Sequence, residues 1–354
     1  MKGLTLAGLT LAIVISLCTF TSATSTDRVT ILIYHKFNNP KSPSTSVDLK
    51  IFEQQLRFLK EGGFNVLSMD EFLDCLKKGE FPPRSVMITI DDGYRSVYKY
   101  AYPLLKKYGF PFTVFLYMEG VGRYPDYMTV EELKELLQEG VTLGNHSYSH
   151  KRLARAYRYS KKSLYLRELE EDFRKSEERF VRLFGFKPRV YAYPYGEYNR
   201  LYRDRVKKGG YHLAFTQDPG VFTSDTDPFL IPRNAVVGSW ARPEHFKKTL
   251  AKEPIRVKAF YPSYGILRKN PPETISFILE GLSDYKNPGI YITELGWLKP
   301  LVDRQNSKVY VKGIPSLKKE VNRVGITGID RTTGKRAEFF YMILNPEASP
   351  NTEH

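Results

Sequence analysis

The sequence has little cysteine and few long apolar runs, and each shortage narrows the class of protein. Among 354 residues only Cys18 and Cys75 are cysteines, and Cys18 falls in an N-terminal stretch that we predict to be removed. The single remaining thiol excludes an internal disulfide. Beyond residue 20 no stretch stays apolar for the roughly 20 residues that a membrane-spanning helix needs. A disulfide-stapled scaffold and a multispanning membrane protein are therefore both excluded.

The N-terminus has the composition of a secretory signal. Met1-Lys2 supplies a short basic start, residues 4–20 are mostly apolar and uncharged, and residues 21–23 are small, as cleavage requires. Residues 1–23 therefore predict a signal peptide, with an uncleaved anchor as the alternative. Either outcome indicates a secreted or periplasmic, cell-envelope location.

Acidic residues are in the minority, since 39 aspartates and glutamates face 54 lysines and arginines, a formal net charge of +15. Both signs are interspersed along most predicted helices, however, which is typical of a solvated surface. No zinc-finger or RNA-recognition signature is present in the sequence. We therefore expect no nucleic-acid partner, and association with an anionic cell-envelope surface stays open.

Strand-like and helix-like patterns alternate along the first part of the chain. The strand-like runs are residues 29–35, 64–68, 86–90, 112–117, 141–145, 189–194 and 212–216. Amphipathic segments that often end in glycine separate most of them, as helices would. Such alternation, with near-continuous apolar strands, predicts an α/β fold with a parallel sheet, and seven strands suit closure into a barrel.

The pattern changes after about residue 255 of the sequence. Short alternating runs such as TISFILEG, KVYVKG and RAEFFYMIL replace the helical segments there, and such runs predict strands joined by hairpins. We therefore predict a barrel-like domain over residues 28–250 and a small all-β, sandwich-like accessory domain over residues 256–348.

Polar residues suited to metal binding or acid–base chemistry follow several predicted strands. His35 ends the first strand, Asp91 and Asp92 follow the third, and His146 and His150 follow the fifth. The carboxyl ends of parallel barrel strands meet on one face, where the loops carry the chemistry. Three of the six histidines fall at these ends, so we expect these side chains to share a pocket.

Two imidazoles and a carboxylate form a common ligand set for Zn²⁺ and similar first-row metals. A metal would also explain two adjacent aspartates at the mouth of a buried strand, because one could ligate the cation while the other stays free as a base. Each motif alone has an ordinary structural explanation: Asp-Asp-Gly as a turn, His-x-x-x-His as a hydrogen-bonded loop pair, and His35 as a core histidine. Their combination favours a metal-dependent hydrolytic site.

Several stretches of the sequence resemble a known family. TIDDGYRS (89–96), HSYSH (146–150) and RVYAYPYGEYN (189–199) are similar to the first three motifs of the polysaccharide deacetylases with NodB homology, carbohydrate esterase family 4. ILIYHKF (31–37) resembles in particular the branch of poly-β-1,6-N-acetylglucosamine deacetylases. The resemblance covers about residues 28–250 and implies a distorted (β/α)7 barrel.

The resemblance implies a role for each matching residue. Asp92, His146 and His150 would hold a divalent metal ion, zinc in the first place, with cobalt, nickel or iron as alternatives. Asp91 would be the general base that takes a proton from metal-bound water, which then attacks the amide carbonyl.

Three further residues complete the implied machinery. Arg189 would pair with Asp91 and keep it ionised, and the backbone N–H of Tyr195 would bind the oxyanion. The late Leu-x-x-His motif of the wider family is not evident. His35 ends a barrel strand and matches the YH histidine of the poly-N-acetylglucosamine branch, so the resemblance favours it as the proton donor to the leaving amine, with a purely structural role as the alternative.

The implied reaction is the removal of N-acetyl groups from an N-acetylglucosamine-containing polysaccharide, so an N-acetylated glycan would be the substrate. Two alternatives stay open: an amidase of the same fold that acts on a small N-acyl compound, and a catalytically silent carbohydrate-binding protein of the envelope. Asp91 argues against the silent protein, since a metal-binding scaffold has no need for a second, unligated carboxylate.

Overall fold

The computed structural model describes residues 26–348. The predicted signal peptide, residues 1–23, lies outside the described residues, and so does Cys18. Within residues 26–348 no helix combines the length with the apolar composition that a membrane crossing requires.

Strands and helices alternate over the first part of the described chain. The strands are β1 (Arg28–Tyr34), β2 (Lys36–Phe37), β3 (Ser46–Val47), β4 (Asn65–Val66), β5 (Ser85–Ile90), β6 (Thr113–Leu116), β7 (Thr142–Asn145), β8 (Val190–Ala192), β9 (Leu213–Phe215), β10 (Phe222–Thr223) and β11 (Asn234–Ala235). The helices are α1 (Leu49–Glu61), α2 (Met69–Lys78), α3 (Tyr102–Tyr108), α4 (Val130–Gln138), α5 (Lys162–Phe184), α6 (Arg200–Lys208) and α7 (Pro243–Leu250). The predicted alternation is confirmed.

A curled parallel sheet in the order β1-β5-β6-β7-β8-β9 forms the centre of this part. All six residues of β5 are buried, because helices cover one face of the sheet and side chains fill the other. The segment around β11 closes the sheet. Ile231 bridges in parallel to Phe215 of β9, and β11 pairs in parallel with Leu32 and Ile33 of β1. The predicted α/β, barrel-like fold is therefore confirmed.

One of the seven predicted strands differs from the structure. The run 64–68 contains only the two residues of β4, which pair with the beginning of β5. β11 takes the seventh parallel position instead. β11 has only two residues, which follow Pro232 and Arg233. A segment this short shows no strand pattern, so the sequence did not reveal it.

The second part of the chain is an all-β sandwich. Its strands are β12 (Glu253–Pro254), β13 (Val257–Tyr261), β14 (Gly265–Ile266), β15 (Thr274–Leu279), β16 (Tyr285–Ile292), β17 (Gly296–Leu298), β18 (Leu301–Asp303), β19 (Lys308–Lys312), β20 (Val321–Asp330) and β21 (Arg336–Leu344). One sheet has the order β12-β21-β20-β16-β17, with β14 beside β21, and the other has the order β13-β15-β19-β18. Phe277 and Val309 of the second sheet are buried in one core with Ile290 and Ile326 of the first, and each such burial contributes about 1.5–3 kcal/mol.

The barrel and the sandwich share buried polar contacts. Glu320, which directly precedes β20, accepts hydrogen bonds from Arg155 and Tyr157 of the barrel. Arg155 also bonds Glu197 through two N–H groups, at 3.0 and 2.9 Å. Because all three charged groups are buried, the contact depends on both parts being in place.

Candidate active site

Three side chains suited to metal binding meet at the carboxyl ends of two barrel strands. Asp92 follows β5, and His146 and His150 lie in the loop after β7. Asp92 Oδ1 lies 3.5 Å from His146 Nε2 and 3.1 Å from His150 Nε2, and the two Nε2 atoms are 3.2 Å apart. The predicted convergence of these residues is confirmed.

The two imidazoles are oriented so that their Nε2 atoms face the cluster. His146 Nδ1 lies 2.8 Å from the carbonyl oxygen of Ala192, which can only accept, so Nδ1 carries a proton and Nε2 is the nitrogen that faces the cluster. The backbone N–H of His150 donates to Ser147 Oγ at 2.9 Å. The first contact orients the His146 ring, and the second holds the backbone that carries His150.

A helix carboxylate anchors the loop that carries these histidines. Asp172 of α5 is buried and accepts hydrogen bonds from the backbone N–H of Tyr148 and of Ser149, both at 2.9 Å, and from the Ser149 hydroxyl. The loop backbone needs such support, since Ser147 and His150 both have positive φ values, 67° and 52°. Sequence reasoning missed Asp172, which looks like one more charge on an amphipathic helix.

The donor set fits a divalent first-row metal ion. It offers one carboxylate oxygen and two imidazole nitrogens within 4.8 Å of one another, a set that suits a metal ion which keeps further coordination positions open. Burial acts to raise the pKa of Asp92, but the close contacts of its carboxylate with His146 and His150 outweigh burial and hold the pKa well below its ordinary value. The carboxylate is therefore ionised, as metal binding requires.

Asp91 lies beside the cluster and is held by an arginine rather than by the histidines. Both oxygens of its carboxylate accept from Arg233, at 2.7 Å each, and neither side chain has exposed surface. Burial acts to raise the pKa of Asp91, but Arg233 and the nearby imidazole of His146 outweigh it and keep the pKa below its ordinary value. Asp91 Oδ2 is 3.8 Å from His146 Nε2, so an ionised carboxylate faces the cluster without joining it.

The predicted pairing of Arg189 with Asp91 is wrong. Arg189 precedes β8 and so lies at the opposite, amino-terminal end of the barrel, where it is about half exposed and pairs with Asp70 of α2. Arg233 takes the place beside Asp91, with its Nε donating to Thr216 O at 2.8 Å. The sequence signal for Arg233 was a lone arginine in the otherwise uncharged stretch LIPRNAVV (230–237), where burial demands an acidic partner.

Tyr195 lies at the rim of the site, in the turn that follows β8. Its φ of 61° is in the left-handed region, and its ring is 4.7 Å from that of His150 and 3.8 Å from the guanidinium of Arg152. The next residue must be glycine, because a Cβ on Gly196 would lie 2.5 Å from Gln217. The structure thus fixes the turn whose backbone N–H was predicted to bind the oxyanion.

His35 follows β1 at the same end of the barrel. Its Nδ1 is buried and has no hydrogen-bond partner among the described residues. Burial lowers the pKa of His35, against the opposing influence of Asp92 and Asp91. A buried imidazole with an unpartnered nitrogen beside two carboxylates has the location that the predicted proton donor needs.

Comparison with known proteins agrees with this geometry. Residues 78–214 match the polysaccharide deacetylase family model. The poly-β-1,6-N-acetyl-D-glucosamine N-deacetylase of Staphylococcus aureus strain MRSA252 is 32% identical over 210 residues, which cover 57% of this chain and 71% of the relative.

Solved structures share the fold. IcaB from Ammonifex degensii aligns with a TM-score of 0.54 and 26% identity, covering 64% of this chain and 97% of that one. The de-N-acetylase of Aggregatibacter actinomycetemcomitans aligns with a TM-score of 0.56 and 22% identity, covering 63% of this chain and 100% of that one. On the sequence match, the fold and the clustered motif residues together, the chain belongs to the polysaccharide deacetylase family of enzymes.

Proposed function

We propose that this protein is a metal-dependent hydrolase that removes N-acetyl groups from a polymer of N-acetylglucosamine. The observation that carries the proposal is the buried Arg233–Asp91 pair directly beside the Asp92, His146 and His150 cluster. It supplies an ionised, unligated base next to a metal-binding donor set. The S. aureus relative is named for poly-β-1,6-N-acetyl-D-glucosamine, and this supports the β-1,6 polymer as the substrate.

Zinc suits the cluster best, because two imidazole nitrogens and one carboxylate oxygen are ligands that Zn²⁺ prefers while it keeps open positions. When bound, such a cation lowers the pKa of water and polarises a carbonyl group. Cobalt, nickel or iron would accept the same donors.

Asp91 acts as the general base. It takes a proton from the water whose oxygen attacks the acetyl carbonyl carbon, and Arg233 holds its carboxylate in one orientation through two hydrogen bonds. The backbone N–H of Tyr195 donates to the oxygen that becomes negative during attack. The left-handed turn at Tyr195 keeps that donor in place before the substrate arrives.

His35 supplies the proton that the leaving amine needs. As the carbon–nitrogen bond breaks, the sugar nitrogen takes this proton, and the products are acetate and a glucosamine residue. Burial lowers the pKa of His35, and Asp92 and Asp91 oppose that shift, so the protonated donor form becomes more populated as the pH falls.

Acetate release from short β-1,6-linked N-acetylglucosamine oligomers tests the proposal. We expect turnover of the oligomers, little turnover of small N-acyl compounds, and a loss of at least about 10²-fold in kcat for Asp91→Asn. Asp70→Asn, which changes an exposed aspartate at the other end of the barrel, is the matched control. Preferred turnover of small N-acyl compounds would favour the amidase alternative, and no turnover by the metal-loaded wild type would favour the silent one.

We also propose that the protein works outside the cytoplasm, on the composition of residues 1–23. Fractionation of expressing cells checks this. Recovery in the medium or envelope supports export, and recovery only in the cytoplasm contradicts it.

A further inference from the structure

A cleft of about 660 Å³ runs between the barrel and the sandwich. The chain has two tryptophans, and both Trp240 and Trp297 line this cleft. Ligand sites favour domain interfaces and combine aromatic walls with a few polar groups. The position of both tryptophans in one cleft therefore calls for a functional explanation.

On the sandwich side of the cleft, neighbouring side chains hold the indole ring of Trp297 in place. Trp297 of β17 packs against Tyr291 of β16 at 5.0 Å between ring centroids, and the guanidinium of Arg336 lies 4.8 Å from its ring. Even so, 53% of Trp297 is exposed. A large apolar ring that neighbours hold in place while it faces open space is prepared to stack on a ligand without losing further side-chain freedom.

The barrel wall presents the other indole. Trp240 follows β11, next to the start of α7, where its ring stacks against that of His245 at 6.4 Å. It is 54% exposed. Because the two indoles come from different parts of the chain, they give the cleft an aromatic surface on each side.

Cationic side chains in the cleft already have acidic partners. Arg336 and Lys252 both pair with Glu338, and Arg323 pairs with Asp218. The guanidinium of Arg233 is occupied by Asp91. A polyanion would therefore meet few free positive charges here, whereas a neutral ligand with apolar faces and hydrogen-bonding groups is well matched.

The cleft adjoins the active site. Gln217 lines it and packs against Gly196, the neighbour of Tyr195, so closely that a Cβ on Gly196 would lie 2.5 Å from Gln217. Arg233, which has no exposed surface, lies directly behind the cleft wall, and its guanidinium bonds Asp91. The cleft thus shares part of its wall with the candidate active site.

We propose that this cleft binds sugar residues of the N-acetylated glycan beyond the one being deacetylated, with Trp240 and Trp297 stacking on the apolar faces of the pyranose rings. The proposal rests on the proposed function for the identity of the glycan. It gives the sandwich a role in selecting long substrates over short ones.

Tryptophan fluorescence tests this directly, because both fluorophores lie in the cleft. The probe is a β-1,6-N-acetylglucosamine hexamer added to the full-length Asp91→Asn protein, in which turnover is suppressed. We expect a saturable change in emission that N-acetylglucosamine monomer does not produce. Trp297→Ala and Trp240→Ala, each in this background, should weaken hexamer binding by about tenfold. Leu301→Ala, at an exposed apolar residue of β18 outside the cleft, should not.

A kinetic comparison separates this proposal from the proposed function. With Asp91 restored, the ratio of kcat/KM for the hexamer to that for a dimer should fall in both tryptophan variants and stay unchanged in Leu301→Ala. Turnover without any fluorescence change, or with ratios that the tryptophan variants do not alter, would overturn the cleft assignment and leave the deacetylase intact. If the wild type shows no turnover but binds the hexamer, and the tryptophan variants abolish that binding, the cleft assignment stands and the proposed deacetylase activity fails. Equal binding of a neutral glycan and an anionic one would also contradict the assignment.

Discussion

Arg233 and Asp91 form an ion pair with no exposed surface. Loss of either side chain would leave the other charge buried without a partner, which destabilises the folded state. Removing one partner of a buried pair typically costs about 3–5 kcal/mol. The pair lies beside the candidate metal site, where the proposed mechanism uses a carboxylate that is ionised but not ligated. On that proposal, the same pair contributes to both stability and catalysis.

The variant Arg233→Lys tests whether Arg233 holds the Asp91 carboxylate in the orientation that catalysis needs. Lysine keeps the positive charge but offers a single point of contact, so Asp91 would lose its two parallel hydrogen bonds. We expect kcat for acetate release to fall by about 10²-fold with a smaller change in KM.

Arg189→Lys is the matched control, since Arg189 is half exposed and pairs with Asp70. It should leave kcat unchanged. Thermal unfolding and metal content of both variants show whether any loss comes from misfolding. A folded, metal-loaded Arg233→Lys protein with wild-type kcat would contradict the orienting role.

The side chains that follow the barrel strands were predictable from the sequence, whereas Arg233, which pairs with Asp91, was not. Asp91, Asp92 and His146 follow predicted strands directly and His150 lies in the same loop as His146, so the rule that the carboxyl ends of parallel strands converge was enough. Arg233 lies 142 residues from Asp91, beside a strand of two residues. Nothing local in the sequence pairs them, and the resemblance directed attention to Arg189 instead.

At the scale of elements, α5 supports the loop that follows β7. Asp172 satisfies two backbone N–H groups and a hydroxyl in that loop. Without it the loop would lose partly buried hydrogen bonds to a carboxylate, worth about 1.5–3 kcal/mol each. The left-handed backbone at His150 would then lack its support.

Asp172→Asn should therefore weaken metal binding without touching a ligand. The asparagine has one acceptor oxygen in place of two, and supporting contacts of this kind typically change metal affinity by about 10–100-fold. Competition with a chelator measures the dissociation constant. Glu171→Gln, at a half-exposed acidic neighbour on the same helix, should bind the metal as the wild type does, and equal affinity in both variants would refute the anchoring role.

Most elements of the barrel followed from local patterns, because long apolar runs and glycine-terminated helices need no tertiary context. The short strands did not. β4 and β11 each have two residues, and their pairing is imposed by the sheet around them rather than by their own composition. The closure of the barrel between β9 and β1 therefore became visible only in the structure.

At the scale of the whole molecule, Asp218 joins the barrel to the sandwich. It is buried, accepts from the Tyr198 hydroxyl at 2.6 Å and pairs with Arg323 of β20 at 3.2 Å. Burial raises the pKa of Asp218 from its ordinary value of 3.8 to about 6, against the opposing effect of Arg323. The folded protein therefore holds this proton more tightly than the unfolded chain does.

This carboxyl should make stability depend on pH. Its contribution is fully present below about pH 4 and is lost as the pH rises through about 6, since only the folded state is still protonated in that window. Asp218→Asn removes the titrating group. Between pH 4 and pH 7 the free energy of unfolding of the wild type should therefore fall by up to about 3 kcal/mol relative to that of the variant. Urea unfolding of both proteins at several pH values measures this. A difference in unfolding free energy between them that does not change with pH would contradict the prediction.

Metal content is the most direct test of the account, because the whole mechanism depends on Asp92, His146 and His150 holding a cation that Asp91 does not ligate. Wild type, Asp91→Asn and His150→Ala are purified in parallel, and their metal is measured by mass spectrometry. The account predicts about one equivalent of a divalent first-row metal in the first two proteins and a clear loss in the third. Equal loss in Asp91→Asn and His150→Ala, or no metal in the wild type after incubation with zinc, would contradict it.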